Sequence, residues 1–177
     1  MIARLGIPAL VALAALGGCV EPGANPPAQP VSAASAAGPV VPGETPADAI
    51  FAAALFGQIC AENAPTFRNA GATLGGLPFR QHPQTGTYYH SNVNLSVKIF
   101  PPSSGTTACS MVFVSRDDAM TIGLAIAAQV SDDGQIGVNP DTGATMAQGP
   151  GGTVLIVEPT IRQGRDQFYR AVLRAGN

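Results

Sequence analysis

Residues 93–99 alternate without a break: Val93, Leu95, Val97 and Ile99 are apolar, and Asn94, Ser96 and Lys98 between them are polar. Period two marks a strand with one buried face. Residues 108–114 predict a second strand, with Cys109, Met111 and Phe113 on one side and Ser110, Val112 and Val114 on the other. With Thr87-Tyr88-Tyr89-His90, after a turn at Pro83–Gly86, residues 79–115 read as a β-meander. Upstream the period changes. Phe51, Leu55 and Ile59 recur every four residues with Phe56 and Cys60 beside them, which predicts an amphipathic helix over 46–62. Thr45 reads as its N-cap, Pro46 as its first residue, and Pro65 as its end. Phe67, Ala70 and Leu74 predict a short second helix closed by Gly75-Gly76.

Ser115 and Asp118 predict a capping box that opens a helix over 116–130, with Ala119, Ile122, Ile126 and Val130 inward. Residues 131–152 are rich in Gly, Asp and Pro and read as loop and turns. Thr153–Val157 reads as a strand. Residues 165–174 read as a last helix, with Phe168, Val172 and Leu173 inward. The expected fold is α+β: an antiparallel sheet of about four to five strands, helices packed on one face, and one disulfide. No strand order follows, and no internal repeat is visible.

The N-terminus follows other rules. Arg4 precedes an apolar run over 5–16, then Gly17, Gly18 and Cys19, which is the layout of a secretory signal. A dozen apolar residues rise roughly 18 Å, short of the ~30 Å hydrocarbon core, so a permanent span is not expected. The order Leu16-Gly17-Gly18-Cys19 resembles the lipobox of bacterial lipoproteins. That resemblance implies cleavage before Cys19, a diacylglycerol thioether on its sulfur, and acylation of the new N-terminus. Val20, where an Asp would resemble an inner-membrane retention signal, implies the outer membrane. The segments expected are a cleaved signal over 1–18, a lipid-anchored Pro/Ala-rich linker over 19–45, and a globular domain over 46–177. The linker holds six prolines and no Leu, Ile or aromatic residue, too little apolar surface to offset its ordering entropy.

Composition narrows the function. The net charge is −2, and Lys98 is the sole lysine. No basic stripe suggests nucleic acid. With Cys19 lipidated, Cys60 and Cys109 remain. In an oxidising compartment they read first as a staple between the first helix and the sheet; two buried thiols, or redox or metal use, are the alternatives. Ile59-Cys60 and Cys109–Phe113 resemble segments of small uncharacterised exported proteins of alphaproteobacteria, which implies no activity.

No Gly-x-Ser-x-Gly elbow occurs. The acids of 132–141 miss the spacing of a calcium loop, and His82 and His90 read as exposed turn residues. No catalytic set, metal or cofactor is expected. Tyr88, Tyr89, His90 and Asn92 form the most recognition-like cluster: strand neighbours face opposite sides, so one tyrosine should reach the surface, where aromatics anchor partners. The sequence therefore predicts an envelope lipoprotein with a non-catalytic interaction domain, bound to the membrane by its lipid and to another envelope protein. The alternative is an inhibitor or small-ligand binder that uses the meander face.

Overall fold

Two helices, α1 (Ala49–Ile59) and α3 (Ala119–Ala128), lie across one face of an eight-stranded antiparallel sheet. The computed structural model describes residues 40–102, 105–131 and 134–176. The expected signal, Cys19 and the expected linker as far as residue 39 lie outside the described residues. Among those described, no helix is long and apolar enough to cross a membrane.

The strands are β1 (Phe79–Gln81), β2 (Tyr88–His90), β3 (Leu95–Phe100), β4 (Ala108–Ser115), β5 (Ile136–Val138), β6 (Thr145–Gly149), β7 (Thr153–Gln163) and β8 (Asp166–Arg174). They are ordered β1-β2-β3-β4-β8-β7-β6-β5. Two four-stranded meanders thus meet at their last strands. α3 carries the chain from the middle of the sheet to its far edge.

Alternation decides the faces. Leu95 and Val97 of β3, Cys109, Met111 and Phe113 of β4, Leu155 and Val157 of β7, and Tyr169, Ala171 and Leu173 of β8 are buried beneath the helices. The other face carries Lys98, Ser110, Val112, Ile156, Arg170 and Val172, with Arg170 paired across the strands to Glu158.

α1 is fixed at both ends. At its start the Ala47 amide donates to the Val114 carbonyl at 2.8 Å, and the Ala49 amide donates to the Asp117 carboxylate at 2.7 Å. At its end Cys60 is bonded to Cys109, near the start of β4. The staple expected between helix and sheet is present.

The sheet has eight strands rather than four or five, and two predicted segments account for the difference. The helix expected over 165–174 is β8. Its Tyr169, Ala171 and Leu173 alternate as well as Phe168 and Val172 fit a helix, and contact with β4 along eight residue pairs settles the ambiguity. Gly164, at φ 63°, makes the two-residue turn that folds β8 back on β7. The loop expected over 131–152 contains β5 and β6. Its turn is where the polar residues predict it, with Asn139 Oδ1 accepting the Asp141 and Thr142 amides; the flanking strands, of three and five residues, are too short to show a period.

Both cap positions move by three residues. Asp48, not Thr45, caps α1 by accepting the Phe51 amide at 2.8 Å. Thr45 instead bridges Val93 in parallel, and the Gly43 amide donates to the His90 carbonyl. The last residues of the expected linker are therefore docked on the domain. Asp118, not Ser115, caps α3, and the Thr121 hydroxyl and amide hold its carboxyl below the usual carboxylate range.

α3 approaches β6 so closely that a Cβ at Gly123 would collide with the Thr145 side chain, whose buried hydroxyl has no hydrogen-bond partner among the described residues. Gly123→Ala should therefore destabilise the domain by about 1–3 kcal/mol. Adding Thr145→Ala should recover most of that loss; denaturant unfolding of the two single variants and the double variant measures the coupling. Removing the staple with Cys60→Ala and Cys109→Ala opens a loop of sequence separation 49. Chain entropy puts the resulting loss at about 4 kcal/mol, read by denaturant unfolding of the oxidised parent against the double variant.

Candidate functional site

The four residues expected to share a binding surface are divided by the fold. Tyr88 turns into a cleft between α2 (Ala70–Gly75) and the strands β1–β3. Tyr89, its neighbour, faces away and meets the His82 ring edge-on at 6.4 Å between centroids. Asn92 lies in a shallow hollow against Pro42, Gly43 and Thr45. His90 is 4 % exposed and belongs to the core.

Both histidines close turns in the same way. His82 Nδ1 accepts the amides of Gln84 and Thr85, at 3.3 and 3.4 Å. His90 Nδ1 accepts those of Asn92 and Val93, at 3.2 and 3.1 Å. The expectation of an exposed His90 is overturned because its ring also fills a slot between Phe51 of α1 and Phe79 of β1, edge-on to both, at 5.7 and 5.1 Å. An accepting Nδ1 requires a neutral ring, and burial lowers the His90 pKa in the same direction.

The cleft at Tyr88 has a volume of about 480 Å³, within the range of small-molecule sites. One wall is the segment before α2, with Phe67 and Arg68. The other is Gln81, Tyr88, Lys98 and Ile99 from β1, β2 and β3. Phe67 is 2 % exposed and has φ 52°, a left-handed conformation rare for a residue with a side chain. Two backbone bonds hold it there: its amide donates to Asn63 at 2.7 Å, and its carbonyl accepts from Ala70 at 3.2 Å. Strained residues of this kind cluster at ligand sites.

β3 outruns β2. Pairing between them stops at Val97, so Lys98–Phe100 has no strand on that side, and Lys98 and Ile99 border the cleft. Lys98 Nζ sits over the Phe100 ring at 5.4 Å. Sequence reasoning reached Tyr88 in this cleft but missed Phe67, Arg68 and Lys98. The first two fall where a helix was expected, and no residue pattern announces a left-handed phenylalanine.

Among the described residues, no three His, Cys, Asp or Glu side chains gather to hold a metal. No family model, curated protein or solved structure matches the chain.

His90 generates a pH dependence. Its folded pKa lies below the ordinary 6.5, so below that pH the unfolded chain takes up a proton that the folded chain refuses. The stability contributed by the neutral ring is complete above pH 6.5 and is lost as pH falls toward the folded pKa. His90→Asn keeps an acceptor near Nδ1 and removes the titration. Thermal unfolding between pH 7.5 and 5 should show a steeper fall in Tm for the parent than for this variant.

Proposed function

We propose that this chain is a lipid-anchored protein of the bacterial cell envelope, held by Cys19 and facing the periplasm from the outer membrane. Its folded domain is a non-catalytic binding module carried on a Pro/Ala-rich arm. The observation that carries this reading is the Leu16-Gly17-Gly18-Cys19 order at the end of a charged-then-apolar leader. Two or three acyl chains on one residue anchor stably where a single chain binds only marginally. The Cys60–Cys109 bond supports export, since such bonds persist in oxidising compartments.

The docking of Gly43 and Thr45 on the domain shortens the arm that can act as a spacer. Fully extended as polyproline II, residues 20–42 reach roughly 70 Å. That span suits a module that meets another envelope protein away from the bilayer surface. The cleft at Tyr88 favours a second reading, a small-ligand binder at the same address.

The anchor is tested by expressing the full chain in a Gram-negative host with labelled palmitate. The parent should enter the membrane fraction with label, and its intact mass should begin at Cys19 and include the acyl chains. Cys19→Ser should carry no label. A labelled Cys19→Ser variant, or a parent that begins at another residue, would overturn the reading.

A further inference from the structure

We infer that the outer face of the helix layer, formed by α1 and α3, is a docking site for one amphipathic helix of another protein, with an apolar stripe and a Lys or Arg in its last turn. The inference deepens the binding-module reading above and rests on it. It depends neither on the anchor nor on the cleft at Tyr88.

Composition is the first argument. The stripes of α1 and α3 that face the sheet are apolar, as their spacing predicts, but the opposite faces are apolar too. Neither helix contains an Asp, Glu, Lys or Arg, and Gln58 and Thr121 are their only polar side chains. The exposed positions recur every four residues, as Ile50, Ala54 and Gln58 along α1 and as Met120, Leu124 and Ala128 along α3. Ile50, Met120 and Leu124 are 81, 55 and 41 % exposed. A helix at a protein–water boundary ordinarily turns charged residues outward, and one that is apolar all round is covered. A contiguous apolar patch left in water marks an interaction surface.

Geometry is the second. The two helices lie side by side with their N-termini at the same end. Asp117, just before α3, accepts the Ala49 amide at the start of α1. Near the other end, a Cβ on Gly57 would stand 3.1 Å from the Gln129 side chain, just after α3. At the N-terminal end a groove of about 570 Å³ is lined by Ile50, Phe51, Ala54 and Thr121, together with Asp48 and Asp117. Two helices about 16 Å long and about 8–10 Å apart present roughly 300 Å². A stable contact between two copies of a folded chain takes about 800 Å² from each. The face therefore has the footprint of a single helix.

Charge selects the occupant. Asp48, Asp117 and Asp118 gather at the N-terminal end of the layer, and among the described residues none of them pairs with a cation. In-plane binding to an anionic lipid surface uses Lys and Arg beside the apolar face; this layer has carboxylates there instead. A partner helix running antiparallel to α1 and α3 brings its C-terminal turn to these acids, where a Lys or Arg also complements its own dipole. Residues 20–39 hold no Leu, Ile, Met or aromatic residue, so the chain's own arm supplies no such stripe.

The test is a selection from a displayed library of random peptides of about four helical turns. The target is the full chain as purified, in nanodiscs of zwitterionic lipid if it carries the anchor and in buffer if it does not, with empty discs or bare matrix as the counter-selection. Enriched peptides should place apolar residues at i, i+3, i+4 and i+7 and a Lys or Arg in the last turn. As labelled synthetic peptides followed by fluorescence anisotropy, they should lose at least tenfold in affinity for the Ile50→Glu, Leu124→Glu chain, whose substitutions are at exposed positions. Asp48→Asn with Asp117→Asn, which keeps both acceptors, should cost at least threefold and flatten the salt dependence. Thermal unfolding checks both pairs; replacing the peptide's own cation by Gln should give the same threefold loss on the parent chain. No enrichment, enriched peptides that lack the stripe or carry an acid in the last turn, or binding that survives the glutamate pair would each overturn the inference. So would a dimer of the unbound chain that the glutamate pair dissolves, which assigns the face to a second copy. Quenching of a fluorophore on Ile50→Cys by doxyl-labelled lipid in the discs would assign it to lipid and overturn the inference as well. A failed palmitate test with intact helix binding would remove the anchor alone; a labelled, membrane-bound parent without helix binding would remove the docking face alone.

Discussion

Everything in this fold depends on one helix lying antiparallel along one strand. α1 has eleven residues and rises about 16 Å. The stretch of β4 from Cys109 to Val114 extends about 17 Å. The two lengths agree, so a hydrogen bond from Ala47 to Val114 can hold one end while a disulfide from Cys60 to Cys109 holds the other. A helix pinned at both ends cannot slide or roll, and the apolar side of the sheet is built against it. Phe56 and Ile59 of α1 are wholly buried in that contact.

The same arrangement organises what lies beside α1. Asp117, between β4 and α3, accepts the Ala49 amide of α1 with its carboxylate, while its backbone carbonyl accepts the Tyr169 hydroxyl at 2.7 Å. One loop thereby links both helices to the last strand. α1 also reaches the first meander through Phe51, whose ring meets His90. At the far end, Cys60 sets where the chain leaves the helix, and the segment through Phe67 to α2 forms a wall of the cleft. The cleft is thus a consequence of the clamp: a short β2, a longer β3 and a fixed helix end leave a gap that α2 closes on one side only.

The parts legible in the sequence are those where local chemistry speaks alone. β3 showed strict alternation, β4 a mostly apolar run with Cys109, Met111 and Phe113 on one side, the two long helices period four, and the turn at Asn139–Gly143 carried its own polar residues. The pairing of Cys60 with Cys109 followed from a helix end and a strand face that could meet. Errors arose where two patterns fit equally. Residues 165–174 satisfy both periods, and only the neighbouring β4 chooses between them. Thr45 and Ser115 are good caps by type, yet the first is engaged with Val93 and the second ends a strand. At the site, Tyr88 was visible as an aromatic in a short strand, whereas Arg68 and Lys98 come from segments 30 residues apart and are brought to one cleft only by the fold.

By itself the sequence determined the α+β class, the staple, and a sheet covered by helices on one side, because each rests on residues a few positions apart or on oxidation chemistry. Tertiary structure decided that there are eight strands, that β4 and β8 adjoin at the centre, that His90 is a core residue, and that a cleft opens between α2 and the strands β1–β3. Each of those depends on which distant segments come to lie side by side, and local spacing carries no record of that.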